Sequence, residues 1–240
     1  MIKAVFFDLD GSLLPMEEEM FTKHYFDLLC KKVESYSYDK EKFVQTVWAG
    51  IKAIKKNDGL KFNEEVFWDV FSSVYGVEES IKIKKFFNLF YTNEFKQTKA
   101  VCFENPHAKE IIDFCKQKGL KIALTTSPFF PKEGVVSRLE FLELSENDFD
   151  FITHYSNMKS SKPQKTFYKQ VMDFLDVKPN EVVMFGNSES DDGIPMFELG
   201  VKVYMVGDFV SIAEDYENHF EKIKLNEVVE TLNKIINNYE

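Results

Sequence analysis

Two aspartates two residues apart, Asp8 and Asp10, close a short apolar run and are followed at once by Gly11 and Ser12. A carboxylate so placed can attack phosphorus to give an aspartyl-phosphate. A second acid beside it can protonate the leaving oxygen and later deprotonate water. Gly11 lets the backbone bend there. Two negative groups facing a phosphate dianion repel it, so the pair implies a hard cation such as Mg2+. For an Asp-x-Asp-Gly segment taken alone, a solvated acidic turn between a strand and a helix is the plain alternative.

Three later segments carry polar residues where strand-like runs end, the edge at which an open α/β sheet places its ligand crevice. Thr125-Thr126-Ser127-Pro128 offers hydroxyls and amides suited to phosphate oxygens, with a helix-capping turn as the competing reading for Ser127. Lys162-Pro163 opens a helix, and a lysine there can neutralise phosphate charge and steady the nucleophile. Lys159 is near enough to compete for that role. Val182-Val183-Met184-Phe185 runs into Gly186-Asn187-Ser188-Glu189-Ser190-Asp191-Asp192, an acidic loop rich in oxygen donors for a hard cation.

These residues need a scaffold. Residues 3–7, 121–126, 151–153, 182–185 and 201–206 read as buried parallel strands. Helical patterns alternate with them: a block opened by Pro106 and stopped by Gly119, then 135–141, 167–175 and 192–199. This alternation predicts an α/β fold with a Rossmann-like parallel sheet. Between Leu14 and Lys99 no strand-like run occurs. Four helical faces stand there instead: Met20, Phe21, His24, Tyr25 and Leu28; Phe43, Val47, Ile51 and Ile54; Val66, Phe67, Val70, Phe71 and Val74; and Ile83, Phe86, Phe87, Phe90 and Tyr91. Asn63 is the expected N-cap of the third, Gly76 its stop, and Asn57-Asp58-Gly59 a turn. The expectation is an all-α helical cap domain over residues 15–99, inserted after the first strand of a core domain formed by 1–14 and 100–240.

Bulk properties narrow the partners. The formal charge is 30 minus 40, or −10, which repels nucleic acid and anionic lipid. No stretch is apolar enough for a membrane span or a signal peptide. Cys30, Cys102 and Cys115 lack metal-ligand spacing and fit reduced thiols in a cytoplasm. The four histidines show no paired spacing. Trp48, Trp68 and the many phenylalanines of the helical block are read as packing residues. Oligomeric state is open.

In this order the four polar segments resemble the four motifs of the haloacid dehalogenase (HAD) superfamily, over residues 1–14 and about 100–206. The helical block stands where that superfamily inserts a C1-type cap. The resemblance implies Asp8 as nucleophile, Asp10 as general acid/base, Thr126 as the phosphate-binding hydroxyl and Lys162 as the charge-stabilising lysine. It further implies Leu9, Asp10, Thr126, Ser127 and Lys162 around the phosphate, and Mg2+ held by Asp8, Asp10, Asn187 and Asp192. There are two departures. Asn187 stands where the family often has aspartate, and Ser127 where asparagine is frequent. Dehalogenases of the superfamily lack the second aspartate of the first motif, so Asp10 argues for phosphate chemistry. The implied activity is Mg2+-dependent hydrolysis of a small phosphorylated metabolite. A sugar phosphomutase and a non-catalytic binding protein, the latter motivated by Asn187, are the alternatives.

Overall fold

The apolar run at the N-terminus becomes β1 (Ala4–Phe7), an interior strand of a six-stranded sheet. A computed structural model describes residues 1–217 and 219–237. The other strands are β2 (Lys121–Leu124), β3 (Phe151–Ile152), β4 (Val182–Gly186), β5 (Lys202–Val206) and β6 (Lys222–Ile223), in the order β3-β2-β1-β4-β5-β6 with every pairing parallel. Phe7 lies level with Leu124 on one side and Phe185 on the other. From β1 the chain first winds outward through β2 and β3, then returns to β4 and winds the opposite way. The carboxyl ends of β1 and β4 therefore flank the switch point, where such sheets bind ligands.

Side-chain alternation along β1 feeds two separate cores. Val5 and Phe7 join Ile111, Ile112 and Cys115 of α5 (Ala108–Gln117) and Leu232 of α9 (Val228–Asn237). Ala4 and Phe6 join Phe167 and Val171 of α7 (Lys165–Leu175) and Met196 of α8 (Ile194–Glu198). Both faces of the sheet are thus covered, and each fully buried Val, Phe or Ile contributes about 1.5–3 kcal/mol. The expected Rossmann-like sheet is observed. It extends past Val206 by β6 and α9, two elements beyond the predicted alternation.

Between β1 and β2 lie the four expected helices, α1 (Glu18–Ser35), α2 (Lys40–Lys55), α3 (Asn63–Tyr75) and α4 (Val77–Thr92), followed by a 3-10 segment over Glu94–Val101. Their shared core is aromatic: Phe43 stacks on Phe87 with centroids 5.6 Å apart and meets Phe71 edge-on at 5.6 Å. Met20 and Val74, expected on buried faces, are exposed; α1 instead buries Leu29 and Val33 beside Phe21, Tyr25 and Leu28. Asn63 does not cap α3. Phe62 occupies the N-cap, where Glu65 accepts its N–H, while the Asn63 side chain is fully buried. Its amide donates to the Ser160 carbonyl at 2.9 Å and its oxygen accepts from Asn57 at 2.8 Å. Asn63 thereby ties the helical block to the segment leading to Lys162. Helix α6 (Lys132–Phe141) follows β2 and completes the frame.

Candidate active site

Asp8 is the first residue beyond β1, and its amide still donates to the Phe185 carbonyl at 2.9 Å, so its side chain sits over the switch point. Gly11 turns the chain at φ +81°, and a Cβ there would lie 2.2 Å from Asn187 Nδ2. Both the turn and the close approach demand glycine. Ser12 Oγ then donates to Asp8 Oδ2 at 3.0 Å.

Lys162 arrives from a distant part of the chain. Its buried Nζ donates to Asp8 Oδ1 at 2.6 Å and to Asp192 Oδ1 at 2.5 Å. Burial alone would lower the lysine's pKa, but Asp192 and Asp8 outweigh it, and the net shift is upward. Lys162 therefore carries its charge. Burial pushes the Asp8 carboxyl up to about 7 against the pull of Lys162, with Asp192 and Asp10 adding to the rise. Lys159, the rival in sequence, lies over the Phe62 ring at 5.0 Å and is not part of this cluster.

The acidic loop divides its labour. A π-helical turn over Glu189–Gly193, in which the Gly193 amide reaches the Ser188 carbonyl at 3.0 Å, aims successive acids in different directions. Such turns often mark functional sites. Glu189 points away and accepts from the Ala213 and Phe220 amides and from His219, so it is an anchor for the following loop. Asp192 has both oxygens engaged: Oδ1 accepts from Lys162 and from the Tyr168 hydroxyl at 2.9 Å, and Oδ2 from the Asn187 and Ser188 amides at 3.2 Å each. Asp191 lines the cavity above Asp8, its carboxyl raised by burial. Asn187 Nδ2 donates to the Phe209 carbonyl at 3.0 Å, which fixes the amide and leaves Oδ1 as the atom whose lone pairs can ligate a cation.

These groups suit a hard cation. Asp8, Asn187 and Asp191 all offer oxygen to one cavity. Among the described residues no three His, Cys, Asp or Glu side chains form a metal cluster by themselves, so the fit depends on mixed amide and carboxylate oxygens.

Asp10 is held differently. Arg138 Nη1 ion-pairs with its Oδ2, and Thr126 Oγ1 donates weakly to the same atom at 3.4 Å. Asp10 Oδ1 has no protein partner among the described residues. Arg138 is completely buried; its Nε donates to the Gly134 carbonyl at 3.1 Å and its guanidinium lies 4.5 Å over the Phe130 ring. Sequence reasoning missed this residue. A signal was present, because Arg138 is the sole arginine in a chain otherwise rich in lysine. A planar, forked guanidinium is not interchangeable with an ammonium at a buried carboxylate. Tyr168, whose hydroxyl steadies Asp192 and also reaches the Asp191 carbonyl at 2.8 Å, was likewise outside the predicted set.

Thr126 and Ser127 sit on the same cavity, whereas Thr125 is turned inward and donates to the Phe7 carbonyl. The amides of Leu9 and Asp10 donate to no main-chain acceptor among the described residues. The cavity measures about 270 Å3, with the acids and Lys162 at one end and aromatic rings from α1, α2 and the segment after β2 at the other. Trp48, read from sequence as a packing residue, is 48% exposed and lines this space.

Sheet order, switch-point acids and a block of helices inserted between β1 and β2 define an α/β enzyme whose cavity is lined from both the sheet's carboxyl edge and that block. A family model described as haloacid dehalogenase-like hydrolase matches residues 5–206, and the chain belongs to that family. A curated relative, the phosphorylated carbohydrates phosphatase of Thermotoga maritima, is 28% identical over 193 residues, covering 79% of this chain and 78% of that one. The solved 2-haloacid dehalogenase from Pseudomonas syringae superposes with a TM-score of 0.65 at 17% identity, covering 98% of this chain and 100% of its own. The beta-phosphoglucomutase of Clostridium difficile gives 0.58 at 19% identity, covering 100% and 99%.

Proposed function

We propose that this enzyme is a Mg2+-dependent phosphohydrolase that acts on a small phosphorylated metabolite through an aspartyl-phosphate. The observation that carries the reading is the convergence of Asp8, Asp10, Thr126 and Lys162 on one cavity, with Lys162 bridging Asp8 and Asp192. An Asp8 oxygen attacks phosphorus while the bond to the leaving oxygen breaks. Asp10 supplies the proton that the departing alkoxide needs. Asp10 then takes a proton from water, whose oxygen attacks the same phosphorus, releasing inorganic phosphate and restoring the Asp8 carboxylate. Thr126, Ser127 and the amides of Leu9 and Asp10 are placed to receive the phosphate oxygens, and Lys162 offsets their charge. A Mg2+ ion would be held by Asp8, the Asp10 main-chain carbonyl, Asn187 and an acid of the 191–192 pair, and would supply further positive charge to the transferring group. With Asp192 committed to Lys162 and Tyr168, Asp191 is the more accessible acid of that pair.

Two further properties accompany this reading. The helical block serves as a C1-type lid that excludes bulk water and selects the leaving group. The three cysteines are free, in keeping with a reducing cytoplasm, and among the described residues no helix is long and apolar enough to cross a membrane. The test is release of inorganic phosphate from a panel of phosphate monoesters with and without Mg2+. Turnover that requires the cation and vanishes in Asp8→Asn is expected. Undiminished turnover in Asp8→Asn would contradict the nucleophile assignment.

A further inference from the structure

The cavity wall facing the acids is aromatic where a sugar-binding wall needs hydrogen-bonding groups. Trp48 and Phe26 lie 5.1 Å apart at an interplanar angle of 30° and form a broad apolar surface. Phe130 stands perpendicular to Tyr25 and Tyr91, with ring centroids 5.7 Å and 6.2 Å apart. The two tyrosines do not restore polarity, because their hydroxyls are buried and bond to each other at 2.9 Å. Besides them and the single indole N–H of Trp48, Glu18, Thr22 and Lys55 are the only polar side chains that the described helices α1 and α2 contribute to the lining, and the Lys55 ammonium already sits 5.5 Å over the Phe129 ring. Trp48 is half exposed although it is large and apolar, so the fold's own core does not account for its position.

Resting on the phosphohydrolase reading, we propose that this site selects phosphate monoesters of arylalkyl alcohols, with the flat ring of the leaving group between Trp48, Phe26 and Phe130. An apolar cavity of about 150 Å3 accepts benzene. The larger volume found here leaves space for a ring and for the linker that brings its phosphate to Asp8. A hexose would place several hydroxyls against this wall and lose their hydrogen bonds to water with few replacements. A ring without hydroxyls meets no such penalty and gains face and edge contacts with the aromatic wall.

The test compares 2-phenylethyl phosphate with glucose 6-phosphate, both esters of primary alcohols, so that leaving-group reactivity is matched. With Mg2+ present, kcat/KM is expected to favour the phenylethyl ester by about 100-fold, the scale at which hydrophobic pockets discriminate. Trp48→Ala, with Phe26→Ala as the second variant should the first fail to fold, raises KM for the phenylethyl ester more than it lowers kcat and collapses the preference. In parallel, calorimetry compares 3-phenylpropylphosphonate with the phosphonate analogue of glucose 6-phosphate, neither of which can be hydrolysed. Equal or better turnover or binding of the sugar compound, or a preference untouched in both variants, overturns the proposal. Preferential binding of the phenyl phosphonate with no turnover of any ester would overturn the phosphohydrolase reading and leave the pocket assignment standing.

Discussion

Replacing Arg138 by methionine removes the guanidinium that ion-pairs with Asp10 while keeping an unbranched side chain in its place. Deleting one partner of a fully buried ion pair costs about 3–5 kcal/mol. The Asp10 side chain is 22% exposed, so water recovers part of that loss, and a net cost of about 2–3 kcal/mol is expected. For a chain of this size that is a fall in Tm of about 4–12 °C. The kinetic effect is larger than the structural one. An acid misplaced by about 1 Å loses on the order of 100-fold, within the 10²–10⁴ that a general acid supplies. The variant should therefore lose about 100-fold in kcat on an alkyl phosphate with KM little changed. With 2,4-dinitrophenyl phosphate, whose leaving group departs without a proton, the first step should slow by less than about tenfold. Hydrolysis of the intermediate still needs Asp10 as base, so a burst of dinitrophenolate should appear. Arg138→Lys restores charge but not the fork, and should recover only part of the rate. Equal losses in the first step for both esters, or an unaltered rate on the alkyl ester, would refute the positioning role of Arg138.

The remaining expectations concern charge and backbone. The folded-state pKa of Asp8, about 7, lies above its ordinary 3.8, so the native protein keeps a proton that the unfolded chain surrenders across that window. Stability contributed by Asp8 therefore falls as pH rises from about 4 to 7, by on the order of 2–4 kcal/mol. The urea midpoint of the native protein minus that of Asp8→Asn, followed in EDTA from pH 4 to 8, reads this directly; a difference that grows with pH contradicts it. Added Mg2+ should stabilise the native protein more at pH 8 than at pH 5, since it binds the ionised carboxylate. Gly11→Ala forces a side chain onto a backbone at φ +81° and toward Asn187 Nδ2. It should cost about 1–2 kcal/mol and weaken Mg2+ activation by about 10–100-fold, as judged by Mg2+ titration of activity. An unchanged titration would dissociate Asn187 from the cation.

What could be read from the chain, and what could not, follows from how far each signal reaches. β1 and β4 are apolar on both faces, and this marks parallel strands without knowledge of their partners. Asp8 and Thr126 follow strand ends, and topology alone brings them to one edge; Lys162, expected to open a helix, lies instead in the turn before α7. Arg138 escaped because its role is made by an ion pair across 128 residues, and local pattern carries no trace of such a pair. The acidic loop looked like a uniform set of ligands. Only the π-helical turn separates Glu189 the anchor, Asp191 at the cavity and Asp192 the partner of Lys162. β6 is two residues long and buries only Ile223, too little for a period to show. α9 is a different case: Val228, Leu232 and Ile235 recur at helical spacing, so it was within reach of the sequence. Phenylalanines at helical spacing look alike whether they fill a core, as Phe43 and Phe71 do, or face a cleft, as Phe26 does.

Covalent chemistry at residue 8 is best tested by rapid quench. The protein, Mg2+ and a 32P-labelled phosphate monoester are mixed, stopped in acid within one turnover, and digested for mass spectrometry and hydroxylamine treatment. The expected result is a hydroxylamine-labile phosphoryl group on the Asp8 peptide that forms and decays at rates consistent with kcat. Phosphate release with no labelled protein at any time, or a label on a different residue, would contradict nucleophilic attack by Asp8.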